Sequence, residues 1–116
     1  MKTELEGRTL DFALRILVFV ESLPKTTVGA VVGRQLMKAG SSIGANYREA
    51  GRAESTDDFI HKIAIAEKEA SETEYWLEIC QRAGLGSKGT ESLLDESRQL
   101  LAILTTIGRK TKKHRP

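Results

Sequence analysis

One cysteine, two prolines and a 5% share of aromatic residues are what this 116-residue sequence has little of. A single thiol, Cys80, excludes an internal disulfide and cannot by itself build a metal site. So few aromatic residues argue against a β-sandwich or barrel, and no stretch alternates with period two. Long apolar runs are missing too. Phe12 to Val20 is broken by Arg15 and falls far short of the roughly 20 residues of a membrane span. The N-terminus carries Glu4 and Glu6 where a signal peptide needs basic and then apolar residues. The expectation is a cytoplasmic protein with no membrane partner.

What is present is helix-forming material. Hydrophobic residues make up 40% and charged residues 29%, with Ala, Leu, Glu, Lys and Arg plentiful. The net charge of +2 conceals an uneven distribution. Residues 1–52 hold eight basic and five acidic residues, and residues 53–108 hold five and eleven. The stretch 109–116 adds five cations and no acid. A dipolar body with a basic tail permits a polyanion partner without requiring one.

Apolar spacing predicts four helices in one domain, 1–108, at about 9–22, 27–53, 56–83 and 90–108. Thr9 is the expected first N-cap, with Leu10, Ala13, Leu14, Leu17 and Val20 as a stripe widened by Phe12, Ile16 and Phe19. Such an all-round apolar helix is expected to be buried on several sides. Thr26 or Thr27 caps the second helix, whose inner face runs Val28, Val32, Leu36, Ala39, Ile43, Tyr47 and Ala50. Ser55-Thr56-Asp57-Asp58 resembles a capping box for the third, which carries Phe59, Ile63, Ala66, Ala70, Thr73, Leu77 and Cys80 inward. Gly84 is its natural C-terminal cap. Leu93, Leu100, Leu101, Leu104 and Ile107 line the fourth. Short connections between four helices predict an all-α, up-down antiparallel four-helix bundle. Residues 109–116, unable to bury apolar surface, form a basic flexible tail.

Three helix faces carry further information. Gly29, Gly33, Gly40, Gly44 and Gly51 fall within an arc of about 60° on the second helix. Each costs roughly 1 kcal/mol against alanine inside a helix, a penalty that close approach of another helix offsets. That helix belongs either to the same bundle or to another subunit. Arg34, Lys38, Arg48 and Arg52 lie within about 80° of each other, forming either a solvated face or a strip that follows phosphates. On the third helix Ile65, Trp76 and Ile79 make a second apolar face, expected to serve self-association.

Catalytic patterns find little support. Gly40-Ser41-Ser42-Ile43-Gly44 matches the G-x-S-x-G elbow formally, but no strand precedes it and it sits in a helical pattern. Asp58 and His61 are one turn apart, yet a di-iron bundle needs two Glu-x-x-His motifs and this body has one histidine. No nucleotide-binding fingerprint or zinc spacing occurs. The expectation is a non-enzyme without metal or cofactor.

Leu36-Met37-Lys38-Ala39-Gly40-Ser41-Ser42-Ile43-Gly44-Ala45-Asn46-Tyr47-Arg48-Glu49-Ala50 resembles the signature L-x-R-S-G-T-S-I-G-A-N-Y-x-E-A of the bacterial 23S ribosomal RNA intervening-sequence proteins. Asp58-Phe59-Ile60, Lys68-Glu69-Ala70, Glu72-Thr73 and Tyr75-Trp76-Leu77 match later blocks, and Phe12-Ala13-Leu14 with Ser22-Leu23-Pro24-Lys25 fits upstream. Lys38-Ala39 stands where the family has Arg-Ser. The family is similar to the accessory variability protein of diversity-generating retroelements. The resemblance implies an up-down bundle assembling as a homopentameric ring, with a basic surface able to bind nucleic acid. It marks Asn46 and Glu49 as signature polar residues without giving them a role. The resulting expectation is an oligomeric scaffold or nucleic-acid-binding protein that meets RNA or DNA phosphates through Arg34, Lys38, Arg48, Arg52, Arg109, Lys110, Lys112, Lys113 and Arg115. The alternative is a module that binds only protein partners.

Overall fold

A computed structural model describes residues 3–115. The first two residues of the expected bundle and Pro116 of the expected tail lie outside the described residues. Four helices, α1 (Glu4–Glu21), α2 (Thr27–Ala50), α3 (Thr56–Ala83) and α4 (Thr90–Lys113), follow one another with no strand among the described residues. They pack in chain order, α1 on α2, α2 on α3 and α3 on α4. The closing pair, α1 and α4, meets only lightly, and the backbones of the diagonal pair, α1 and α3, do not approach closely, their side chains joining one core.

The start of α1 corrects the expected N-cap at Thr9. Thr3 caps the helix instead, in a reciprocal box: its hydroxyl accepts from the Glu6 N–H at 3.0 Å, and the Glu6 carboxylate accepts from the Thr3 N–H at 2.7 Å. Thr9 is buried mid-helix, its hydroxyl donating to the Leu5 carbonyl at 2.9 Å. The expected stripe is also turned over. Phe12, Ile16 and Phe19 enter the core, whereas Leu10, Leu14, Leu17 and Val18 are exposed. With apolar residues all round, α1 is oriented by its neighbours, and α2 sets the contact.

That contact runs along the α2 glycines. A Cβ built on Gly40 would lie 3.0 Å from Ile16 Cγ1, on Gly44 2.8 Å from Thr9 Oγ1, and on Gly33 3.1 Å from Val20 Cγ1. At Gly29 it would run into the Pro24 carbonyl. The neighbour so admitted is α1 and the turn after it, within the same chain. Gly51 differs: it caps the end of α2, exposed, and a Cβ there would meet only the Arg48 carbonyl of its own helix. Thus α2 ends at Ala50 rather than at 53, and Arg52 lies in the following turn.

The inner faces of α2 and α3 otherwise follow the spacing, with Val32, Leu36, Ala39, Ile43 and Ala50 packed against Ile63, Ala66, Ala70, Leu77 and Cys80. Val28 is the exception on α2, exposed near the N-terminus of the helix. Ser55 caps α3, accepting from the Asp58 N–H at 3.0 Å, while the Asp58 carboxylate accepts from the Glu54 N–H at 3.4 Å. Gly84 ends α3 with φ 69°, a left-handed geometry that glycine adopts without a Cβ penalty.

α4 runs on to Lys113, past the expected end at 108, so Arg109–Lys113 are helical where a flexible tail is expected. Cations in a last turn suit the helix dipole, and no proline or positive-φ glycine interrupts the segment. By its length of 18 residues α1 rises about 27 Å, against about 42 Å for the 28 residues of α3. The first turns of α1 still reach the last turns of α2, where Glu6 and Thr9 share a groove with Arg48 and Glu49.

Candidate nucleic-acid interface

Two cationic features that are far apart in sequence come to one end. Arg48 and Arg52 close α2, and Arg109, Lys110, Lys112, Lys113 and Arg115 close α4, at the same end because both helices run in the same direction. All seven are exposed. Six of them make no ion pair within 4.0 Å among the described residues, while Arg115 holds Asp57 at the start of α3 at 2.8 Å. Exposed pairs of this kind contribute little, about 0–1 kcal/mol. Exposed Glu49, Glu54 and Asp57 are interspersed, so the end is mixed in charge with the cations in excess.

Arg34 and Lys38 are not part of this end. Both are exposed, but Arg34 stands about 27 Å along α2 from the Arg52 position. Arg34 flanks an open groove of about 610 Å3 lined by Val20, Leu23, Pro24, Gly33 and Met37. The single strip suggested by the helical projection is thus divided into two halves.

The second apolar face of α3 is half covered within the chain. Ile65, Trp76 and Ile79 are each partly buried, and Trp76 packs against the core and edge-on to Tyr75 with ring centroids 5.6 Å apart. The Trp76 indole N–H is buried without an acceptor among the described residues. Beside it, burial raises the Glu69 carboxyl above the usual range, and its hydrogen bond and repulsion with Glu72 add to that, against the opposing pull of Ser42 and Lys38. Asn46 donates to the Ser42 carbonyl at 2.9 Å, a bond within its own helix. Glu49 is exposed.

The catalytic patterns resolve into helix structure. Ser41 and Ser42 donate to the Met37 and Lys38 carbonyls at 2.7 and 2.6 Å, deep inside α2. Burial pushes the Cys80 thiol up, away from nucleophilic chemistry. Among the described residues no three His, Cys, Asp or Glu side chains gather to hold a metal, and no helix is long and apolar enough to cross a membrane.

Sequence reasoning missed the apolar outer face of α1 because its strongest stripe was assigned to the core. It also missed the polar contacts that tie α1 to α4, one of them an ion pair. Arg8 donates twice to Glu96, at 2.8 and 2.7 Å, and Arg15 donates to the Ser92 hydroxyl at 2.7 Å. Arg8 holds the Glu96 carboxyl below the usual range.

Comparison with curated proteins gives no match. Among solved structures, the chain is similar to a protein of unknown function from the S23 ribosomal protein family of Bacteroides thetaiotaomicron VPI-5482. The two share 39% identity over 89% of this chain and 96% of that one, with a TM-score of 0.81. The family model described as 23S rRNA-intervening sequence protein matches residues 2–106. With a match over nearly its whole length, a shared fold and four helices in the same order as the sequence blocks, this chain belongs to the 23S rRNA-intervening sequence protein family.

Proposed function

We propose that the protein is a non-enzymatic, cytoplasmic helical bundle that assembles with copies of itself and binds nucleic-acid phosphates through its cationic end. The observation that carries this reading is the convergence of Arg48, Arg52, Arg109, Lys110, Lys112 and Lys113 on one exposed end without ion-pair partners among the described residues. Cations grouped at one end concentrate a positive field that attracts a phosphate backbone, and a ring would repeat the set around its axis. No exposed aromatic residue stands among them as a stacking platform, which favours backbone contact with a duplex over single-strand capture. The family resemblance implies five copies in the ring. The reference to 23S rRNA in the family description is in keeping with an RNA partner.

The test is binding of a fluorescent RNA or DNA duplex across a salt series. Truncation at 109 would cut into α4, so the informative variant is Arg109→Gln, Lys110→Gln, Lys112→Gln and Lys113→Gln together, which keeps helix-forming residues. Loss of about four phosphate contacts should reduce the log–log salt slope by about 3.6. A wild-type protein that binds no duplex at low salt, or a variant with an unchanged slope, overturns the reading in favour of a module that binds only proteins.

A further inference from the structure

Two apolar faces of the chain stand uncovered on different sides of the bundle. The first is the outer side of α1, where Leu10, Leu14 and Leu17 fall within about 60° of each other and Val18 adjoins them. Leu14 and Val18 are 53% and 67% exposed. The second lies across the seam of α2 and α3. Ser42 of α2 lies beside Glu69 of α3 across that seam, and the helices are antiparallel. Val31, on the same side of α2 as Ser42 and about 16 Å along it, is therefore level with the turn of α3 that carries Ile79. Val28 and Tyr75, 58% and 59% exposed, extend this face, and half-buried Trp76 and Ile79 lie within it.

The charges bordering the two faces differ in balance. Exposed Asp11 and Glu21 flank the α1 stripe, with Arg15, bonded to Ser92 of α4, on its α4 side beside Leu14 and Val18. Exposed Arg34 and Lys38 on α2 and Arg82 on α3 border the seam face, with the half-buried Glu69–Glu72 pair at its far end. None of Arg34, Lys38 and Arg82 makes an ion pair within 4.0 Å among the described residues.

We infer that the α1 stripe of one copy seats on the α2–α3 seam face of the next, a head-to-tail contact in which Asp11 and Glu21 meet Arg34, Lys38 and Arg82. This inference rests on the assembly half of the proposed function and names the two surfaces that make it. Pairing either face with itself would leave the other exposed and would set like charges against each other. A head-to-tail contact covers both faces in every copy and closes a ring when the rotation between copies divides the circle. It also gives Arg34 and Lys38 a place distinct from the cationic end.

Two single variants test it by light scattering. Leu14→Glu spoils the α1 face and leaves the seam intact, and Tyr75→Glu does the reverse. Both positions are exposed, and helical circular dichroism checks that each variant folds; Val18→Glu and Val28→Glu provide a second such pair. Each variant alone should run at the 12.8 kDa of one chain, and their equimolar mixture should form a dimer through the one intact interface. A Tyr75→Glu protein that still dimerises would mean that α1 pairs with α1, and a Leu14→Glu protein that does so would mean that seam pairs with seam. Either result overturns the inference while leaving assembly standing, as does a mixture that stays monomeric beside an assembled wild type. A monomeric wild type overturns both.

Discussion

The two halves of this bundle differ in what they leave uncovered. Toward the turns that join α1 to α2 and α3 to α4, the surface exposes aliphatic and aromatic side chains: Leu14, Leu17, Val18, Val28, Val31 and Tyr75. At the opposite end, where α2 and α4 finish and α3 begins, the surface is mixed in charge with excess cations. The difference has a physical basis. A helix that is apolar all round can bury only the side facing its neighbours, so α1 carries its surplus outward wherever it runs. Beyond its start there is no such surplus, and α2 and α4 finish in Arg and Lys that favour the negative ends of their dipoles. One half is suited to another protein surface and the other to phosphate.

The largest expected effect comes from detaching α1. Gly40→Leu forces a side chain against Ile16, where even a Cβ would sit at 3.0 Å, and should lower stability by about 1–3 kcal/mol in urea unfolding. Because α1 carries one of the two apolar faces, the same variant should assemble poorly while its cationic end still binds duplex.

A smaller effect is expected on the other flank of α1. Glu96→Gln removes the doubly bonded partner of Arg8 and should cost about 1 kcal/mol. The carboxyl of Glu96 is held below its unfolded value. Its contribution is therefore present above the unfolded pKa and lost as pH falls through the folded one, so the wild-type advantage over Glu96→Gln should shrink in acid.

Glu69 has the opposite sign. Its folded carboxyl is raised by burial and by Glu72, so stability is greatest below the unfolded pKa and declines as pH rises through the folded pKa. Glu69→Gln should flatten that decline and stabilise the neutral protein by about 0.5 kcal/mol, the size of a like-charge pair on one helix. The smallest change is Gly51→Ala. With φ −64° and no neighbouring helix against it, alanine fits there, and stability should rise by about 0.5 kcal/mol.

How much of this was legible in the sequence varies by element. The inner face of α3 followed from spacing because its other sides are polar or mixed, and the end of α3 followed from Gly84 because left-handed backbone favours glycine. The face of α1 was not legible. Periodicity cannot choose among stripes on a helix with two apolar sides, and the choice is made by the close approach at Gly33, Gly40 and Gly44. The Thr3–Glu6 capping box was available as a T-x-x-E pattern, hidden by a reading that began the helix at its apolar run. Composition marked residues 109–116 as solvated, which they are through Arg115 with one half-buried exception, Thr111, but solvation does not forbid a helix that continues from a packed one. For the cationic residues, helical projection grouped Arg34 with Arg52 by angle and could not see the distance along the axis that separates them.

The central claim is that the cationic end binds phosphates independently of the apolar half. It is tested most directly by the salt dependence of duplex binding measured on the monomeric Leu14→Glu protein. The account predicts weaker binding than the ring achieves, because neighbouring copies no longer add their sites, with a log–log slope of about −3.6 if four phosphate contacts remain. A folded monomer whose affinity does not respond to salt would contradict it.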